Sequence, residues 1–176
     1  MTPSAELHPL LQGINKRDYE IRGLDDEIRV DSLCIDLLRH LYRDLTVQGG
    51  QSPHQAGESC HGADYFLREF LVADRRRNLF ATKAADIRQF AGHWYIICTN
   101  EPNLTELRGI LQGTEEFFRF LGRQGLITAG VVDEIAAQCR DLDYYQQRID
   151  DFWAIEGDGY DAWRQACPLP PAIDRP

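Results

Sequence analysis

The sequence predicts an all-α fold: a single bundle of about six helices between an irregular N-terminal arm and a Pro-rich C-terminal tail. Three observations carry this expectation. Apolar residues recur at three- and four-residue spacing over stretches of several turns. No stretch alternates apolar and polar residues with the period of a strand, and no repeat of fixed length occurs. Gly, Pro and Asn gather at the breaks between periodic stretches, where helices stop. The expected division is an arm over 1–23, a helical bundle over 24–155 and a tail over 156–176 that docks on the bundle.

The arm contains Pro3, Pro9, Gly13 and Gly23, which leaves room for one short helical piece near Leu7 to Gln12. A first long helix is expected from about Asp26 to Val47. Asp25, Asp26 and Glu27 place negative charge at its start, and Ile28, Cys34, Leu37, Leu38, Leu41 and Leu45 follow at helical spacing. Gln48 to Gly62 is rich in Gly, Ser, Gln and His, and it reads as the longest internal loop. Tyr65, Phe66, Leu67, Phe70 and Leu71 then surround most of a helical circumference, so the short helix from Ala63 to Ala73 should be central.

After a polar break at Arg75 to Asn78, Thr82 is the expected N-cap of a third helix carrying Ile87, Phe90, Ala91, Trp94, Tyr95 and Cys98 on one face. Pro102 marks a turn, and Thr105 opens a fourth helix through Ile110, Phe117, Phe118 and Leu121 that Gly125 should end. Thr128 begins a fifth around Val131, Val132, Ile135 and Cys139, and Leu142, Tyr145, Ile149 and Phe152 mark a sixth. Pro168, Pro170, Pro171 and Pro176 confine the tail to one helical turn near Asp161 to Gln165. The helices starting near Ala63, Lys83 and Thr105 are expected at the centre, wrapped by the two ends.

At 176 residues the chain can bury a core without metal or disulfide staples. Its 43% apolar and 27% charged residues exclude a disordered chain. The net charge of −9 disfavours nucleic acid unless the basic residues cluster. They do so mildly in the middle, where Arg68, Arg75, Arg76, Arg77, Lys83 and Arg88 outnumber the acids, whereas the stretch after Asp133 is strongly acidic. Five widely spaced cysteines without a Cys-x-x-Cys pair point to reduced thiols in a cytoplasm. No secretory signal pattern or long apolar run is present, so neither export nor membrane insertion is expected.

From Ala63 to about Gly125 the pattern resembles the SAM-like N-terminal core-binding domain of tyrosine recombinases and phage integrases. Tyr65-Phe-Leu-Arg-Glu-Phe-Leu, then Asn78-Leu-Phe-Ala-Thr and Ala85-Asp-Ile-Arg-Gln-Phe, are similar to that family's first helix, linker and second helix. Thr114-Glu-Glu-Phe-Phe-Arg-Phe-Leu-Gly-Arg-Gln-Gly-Leu-Ile is similar to its closing helix. The resemblance implies a domain that clamps DNA through basic residues and carries no catalytic ones. The family's catalytic domain would not fit in the 51 residues after Gly125, so recombinase activity is not expected of this chain alone. A helix usual between the family's second and last is replaced here by the Pro102 turn.

Several residue groups are candidates for chemistry, each beside a plainer alternative. The six basic residues from Arg68 to Arg88 could grip phosphates or an acidic partner, form a solvated turn, or be covered by Asp141, Asp143, Asp150 and Asp151. His54, Glu58, Cys60 and His61 are ligand types for a transition metal, at a spacing that matches no established site. Asp36 and His40 share a helix face, as a surface pair or as an acid–base pair. Cys98 and Cys139, on apolar faces, read as core filling rather than as nucleophiles. No nucleotide-binding loop or nucleophile elbow occurs, and no cofactor is expected.

Trp94, Trp153, Trp163, Tyr95, Tyr144, Tyr145 and Tyr160 could line a pocket or a partner groove; Trp94 fits the core, and Trp163 and Tyr160 must dock back or serve another chain. By elimination, the expected role is a non-catalytic helical protein-interaction module with a protein partner or a second copy of itself. The alternatives are a nucleic-acid-binding module using 68–88 and a metal-binding protein using 54–61.

Overall fold

The computed structural model describes residues 11–171, and every regular element among them is helical. Residues 7–10 of the expected arm helix and the end of the tail, 172–176, lie outside the described residues. Seven helices follow one another. Helix α1, Leu24–Arg43, runs on into a single wide π turn over Asp44–Gln48. Helix α2, Pro53–Asp64, continues as a π-wound segment over Tyr65–Asp74. Helix α3 begins as Ala84–Gln89, widens over Phe90–Trp94 and closes as Tyr95–Cys98. Then come α4 at Leu104–Arg123, α5 at Ala129–Cys139, α6 at Leu142–Trp153 and α7 at Tyr160–Ala166. Short 3-10 turns occupy Lys16–Tyr19 and Leu79–Ala81. No helix among the described residues is long and apolar enough to cross a membrane.

Two differences from expectation raise the helix count from six to seven and shorten a loop. The stretch expected as a loop up to Gly62 is the first half of α2. Gln55 N donates to Ser52 Oγ at 3.2 Å and Ser52 N donates to Gln55 Oε1 at 3.1 Å, a reciprocal cap, with Pro53 in the first helical position. Large apolar residues are absent there because the helix buries small ones, Ala56, Gly62 and Ala63, against α4. A Cβ on Gly113 of α4 would lie 2.2 Å from the Ser59 carbonyl oxygen, and one on Gly62 would lie 2.6 Å from the Gly109 oxygen. The two backbones touch, which only glycine allows.

The second difference is α7, where the tail forms a seven-residue helix that buries Trp163. Two caps also move. Thr82 is buried and closes the preceding 3-10 turn, whereas α3 is started by Asp86, whose carboxylate accepts from Lys83 N at 2.8 Å. Helix α4 is capped by Asn103, which accepts from Glu106 N at 2.9 Å, two residues earlier than Thr105 would place it.

The core is aromatic where α2, α3 and α4 meet. Phe66 stands edge-on to Phe90 and Phe118 at 5.1 and 6.1 Å, and Phe70 meets Phe90 and Trp94 at 5.3 and 5.4 Å. All four phenylalanines are essentially inaccessible to water, so each contributes about 2 to 3 kcal/mol of apolar burial. The wide turns in α2 and α3 lie on this centre. In α3 every residue from Phe90 to Ile96 is buried, so this part of the helix, wide turn included, is covered on all sides. That run includes His93, one turn after Phe90.

Candidate interaction surface

The basic stretch is brought together by the turn after α2, and its arginines are met by carboxylates. Arg68 forms a two-pronged contact with Asp31 of α1, Nε to Oδ1 at 2.6 Å and Nη2 to Oδ2 at 3.2 Å, and reaches Asp64 at 3.1 Å. Arg75 pairs with Asp74, and Arg77 with the buried Asp86. Arg76 closes the helix with a left-handed backbone, φ 50°, and lies 3.4 Å from Glu27 of α1. Arg88 stacks over the Tyr144 ring at 3.9 Å and lies 3.4 Å from Asp141. Of the six, Lys83 alone has no ion pair among the described residues, and its side chain is exposed. The acids that cover the arginines thus come from α1 and from the stretch itself; of the C-terminal acids weighed for this role, Asp141 takes part.

The stretch from His54 to His61 forms two turns of α2. His54 and His61 are exposed, Glu58 stands 3.9 Å from His54 Nε2, and the Cys60 thiol turns inward to the Leu38 carbonyl oxygen at 3.6 Å. Among the described residues no three His, Cys, Asp or Glu side chains converge as a metal-ligand group. On α1, Asp36 accepts from Arg39 Nη1 at 2.7 Å. Burial pushes the Cys34 thiol up to about 12 and the Cys60 thiol up to about 11, and it raises Cys139 and Cys98 as well. Thiols held above their ordinary range stay protonated and are poor nucleophiles. Cys98, expected on a buried face, is exposed as the last residue of α3.

At the opposite end of the sequence, α6 and α7 build an aromatic corner. Tyr145, Arg148 and Ile149 of α6 are buried, while Asp143, Gln147, Asp150 and Trp153 face water. Gly157, with φ 58°, lets the chain turn back after α6, and α7 carries Trp163 under the corner. Trp163 Nε1 donates to the Arg148 carbonyl at 3.0 Å, the Arg148 guanidinium lies 4.0 Å over the Trp163 ring, and Arg148 Nε donates to Gly92 O at 3.0 Å. His93 Nδ1 donates to Cys167 O at 2.6 Å, and Arg75 holds the Pro170 carbonyl. Gly92 leaves room for this strap: a Cβ there would meet Cys167 Sγ and Tyr144 at 3.2 Å. Burial keeps His93 below its usual range, the hydrogen bond to Cys167 opposes that, and the cations of Arg148, Arg164 and Arg75 add to the depression.

The corner leaves two large rings open. Trp153 is 59% exposed and Tyr160 is 41% exposed. They flank the Phe152–Trp163 pair, with Tyr160 stacked on Trp163 at 6.0 Å and Phe152 against Trp153 at 5.7 Å. The Trp153 indole N–H reaches the Pro102 carbonyl at 3.4 Å. Residues 150–161 hold Asp150, Asp151, Glu156, Asp158 and Asp161 and no Lys or Arg. Asp150 and Asp151 accept from the Gln146 and Gln147 amides, Asp161 pairs with Arg164, and Glu156 and Asp158 have no cation partner among the described residues.

The sequence pointed to Trp153, Tyr160 and Trp163 but not to His93 and Arg148, which fix the tail. Arg148 carried a visible signal: it is the one base on a helix face otherwise made of Leu142, Tyr145, Ile149 and Phe152. His93 carried none, because its cover, Trp163 and the Cys167 carbonyl, comes from more than 60 residues away in the sequence. No family model, curated protein or solved structure matches this chain.

Proposed function

We propose that the chain is a non-catalytic helical interaction module of the cytoplasm that presents the Trp153–Tyr160 corner to another protein. The observation that carries this reading is the exposure of Trp153 at the end of α6, beside a second open ring at the start of α7. Large aromatic rings on fixed backbone supply most of the energy of protein interfaces and lose little side-chain freedom on binding. The other candidate chemistries have less support. Burial raises the Cys34, Cys60, Cys98 and Cys139 thiols, the ligand types on α2 do not converge, and at five of the six basic positions a phosphate would compete with a carboxylate already in place. Five unbonded cysteines accord with a reducing compartment.

The test is site-specific photo-crosslinking in the source cell, with benzoylphenylalanine placed at Trp153, at Tyr160 and, as a control, at Val47, which is 81% exposed on α1's end. The expected result is a discrete adduct from positions 153 and 160 that position 47 does not give. Equal yields at all three positions, or no adduct at 153 and 160, would refute the reading.

A further inference from the structure

We infer that the Trp153–Tyr160 corner receives an arginine-rich, cationic segment of a partner protein, an inference that rests on the interaction-module reading and names the partner's chemistry. Two properties of the corner coincide. It offers open aromatic rings, and the twelve residues from Asp150 to Asp161 carry five acids and no base, with one of those acids, Asp161, matched by Arg164. Asp150 lies one turn before Trp153 on the same side of α6, so a carboxylate stands beside that ring, and Glu156 and Asp158 in the turn to Tyr160 have no cation partner among the described residues. A guanidinium satisfies both at once, since it stacks on an aromatic face and donates in its own plane to a carboxylate.

The same chemistry already operates within the fold. Arg88 lies 3.9 Å over Tyr144 and Arg148 lies 4.0 Å over Trp163, so the neighbouring rings of α6 and α7 are covered by the chain's own guanidinium groups. Trp153 and Tyr160 have no such cover among the described residues. A second copy of this chain is the poorer occupant. A two-fold contact would set the five acids against their own duplicates, in a protein of net charge −9, and like charges facing across an interface oppose association.

The experiment uses the full chain and a fluorescein-labelled twelve-residue peptide of alternating Arg and Leu pairs, with the corresponding Glu and Leu peptide as control. Binding of the arginine peptide is expected to weaken steadily with salt. Trp153→Ala is expected to weaken it about tenfold or more. The exposed triple variant Asp150→Asn, Asp151→Asn, Glu156→Gln should weaken binding and flatten its salt dependence, while Glu134→Gln on α5 should leave both unchanged. Thermal melts of each variant establish that the fold is retained. No binding at low salt, equal binding to the Trp153→Ala variant, equal binding of the acidic peptide, or spermidine binding as tightly as the peptide would each overturn the inference. So would a concentration-dependent dimer that Trp153→Ala abolishes, since that makes a second copy the occupant. The two readings fail differently: absent crosslinks at 153 and 160 defeat the module, whereas crosslinks to a segment without basic residues defeat only the cationic partner.

Discussion

Replacing Gly113 with Ala should destabilise the protein, although alanine is the better helix former. In the interior of a helix the exchange gains about 1 kcal/mol of propensity. Here the new methyl would stand 2.2 Å from Ser59 O, 2.8 Å from Ala63 N and 3.0 Å from Gly62 Cα, all backbone atoms of α2. No side-chain rotation relieves such contacts. The α2 and α4 backbones must separate by about 1 Å, and overpacking of this kind costs roughly 1 to 3 kcal/mol, with the upper end expected where both sides are backbone. The net loss is then about 1 to 2 kcal/mol, and a domain of this size loses roughly 2 to 4 °C of Tm per kcal/mol. Gly109, one turn earlier on α4, is the internal control, since a Cβ there meets nothing within 4 Å. Gly109→Ala should therefore raise stability by about 0.5 to 1 kcal/mol. Urea titrations followed by far-ultraviolet circular dichroism measure both. If Gly113→Ala is as stable as Gly109→Ala, the backbone contact between the helices is not what holds α2 in place.

Two further perturbations test the turn after α2 and the C-terminal strap. Arg76→Gly and Arg76→Ala both lose the contact with Glu27, but only glycine adopts φ 50° without strain, so the glycine variant should be about 1 kcal/mol more stable in denaturant titration. His93 binds its proton less readily in the folded chain than at its ordinary pKa of 6.5. Between the two values the unfolded chain holds more protons, so the contribution of His93 is complete above about 6.5 and is lost as pH falls through the lowered folded value. Melting temperatures compared from pH 8 to pH 5 should fall more steeply for the wild type than for His93→Gln, and parallel curves would contradict the assignment.

The parts of the fold legible in the sequence are those where large apolar residues recur on one helical face. Helices α4, α5 and α6 begin and end within a few residues of expectation, because Phe117, Phe118, Ile135, Tyr145 and Ile149 bury the faces that their spacing marks. The first half of α2 was illegible by the same criterion. Its burial uses glycine and alanine, whose hydrophobic signal is weak, and its worth depends on a partner helix presenting Gly113 at the right height. The candidate corner was half legible: the aromatic residues of the tail had to be covered or exposed, and composition alone does not sort them. Trp163 is covered and Trp153 open because Gly157 reverses the chain at the end of α6.

Local periodicity and composition were therefore enough to establish an all-α chain with a mildly basic centre and an acidic C-terminal part, since helix period and net charge are sums over neighbours in sequence. Whether that basic centre is open was a question of distance between residues remote in sequence. Asp31 lies 37 residues from Arg68 and Asp141 lies 53 from Arg88, yet each pair is in contact. Only the tertiary packing of α1 against α2, and of α6 against α3, decided that these charges are matched within the fold, and it left Glu156 and Asp158 near Trp153 and Tyr160 without a cation partner among the described residues.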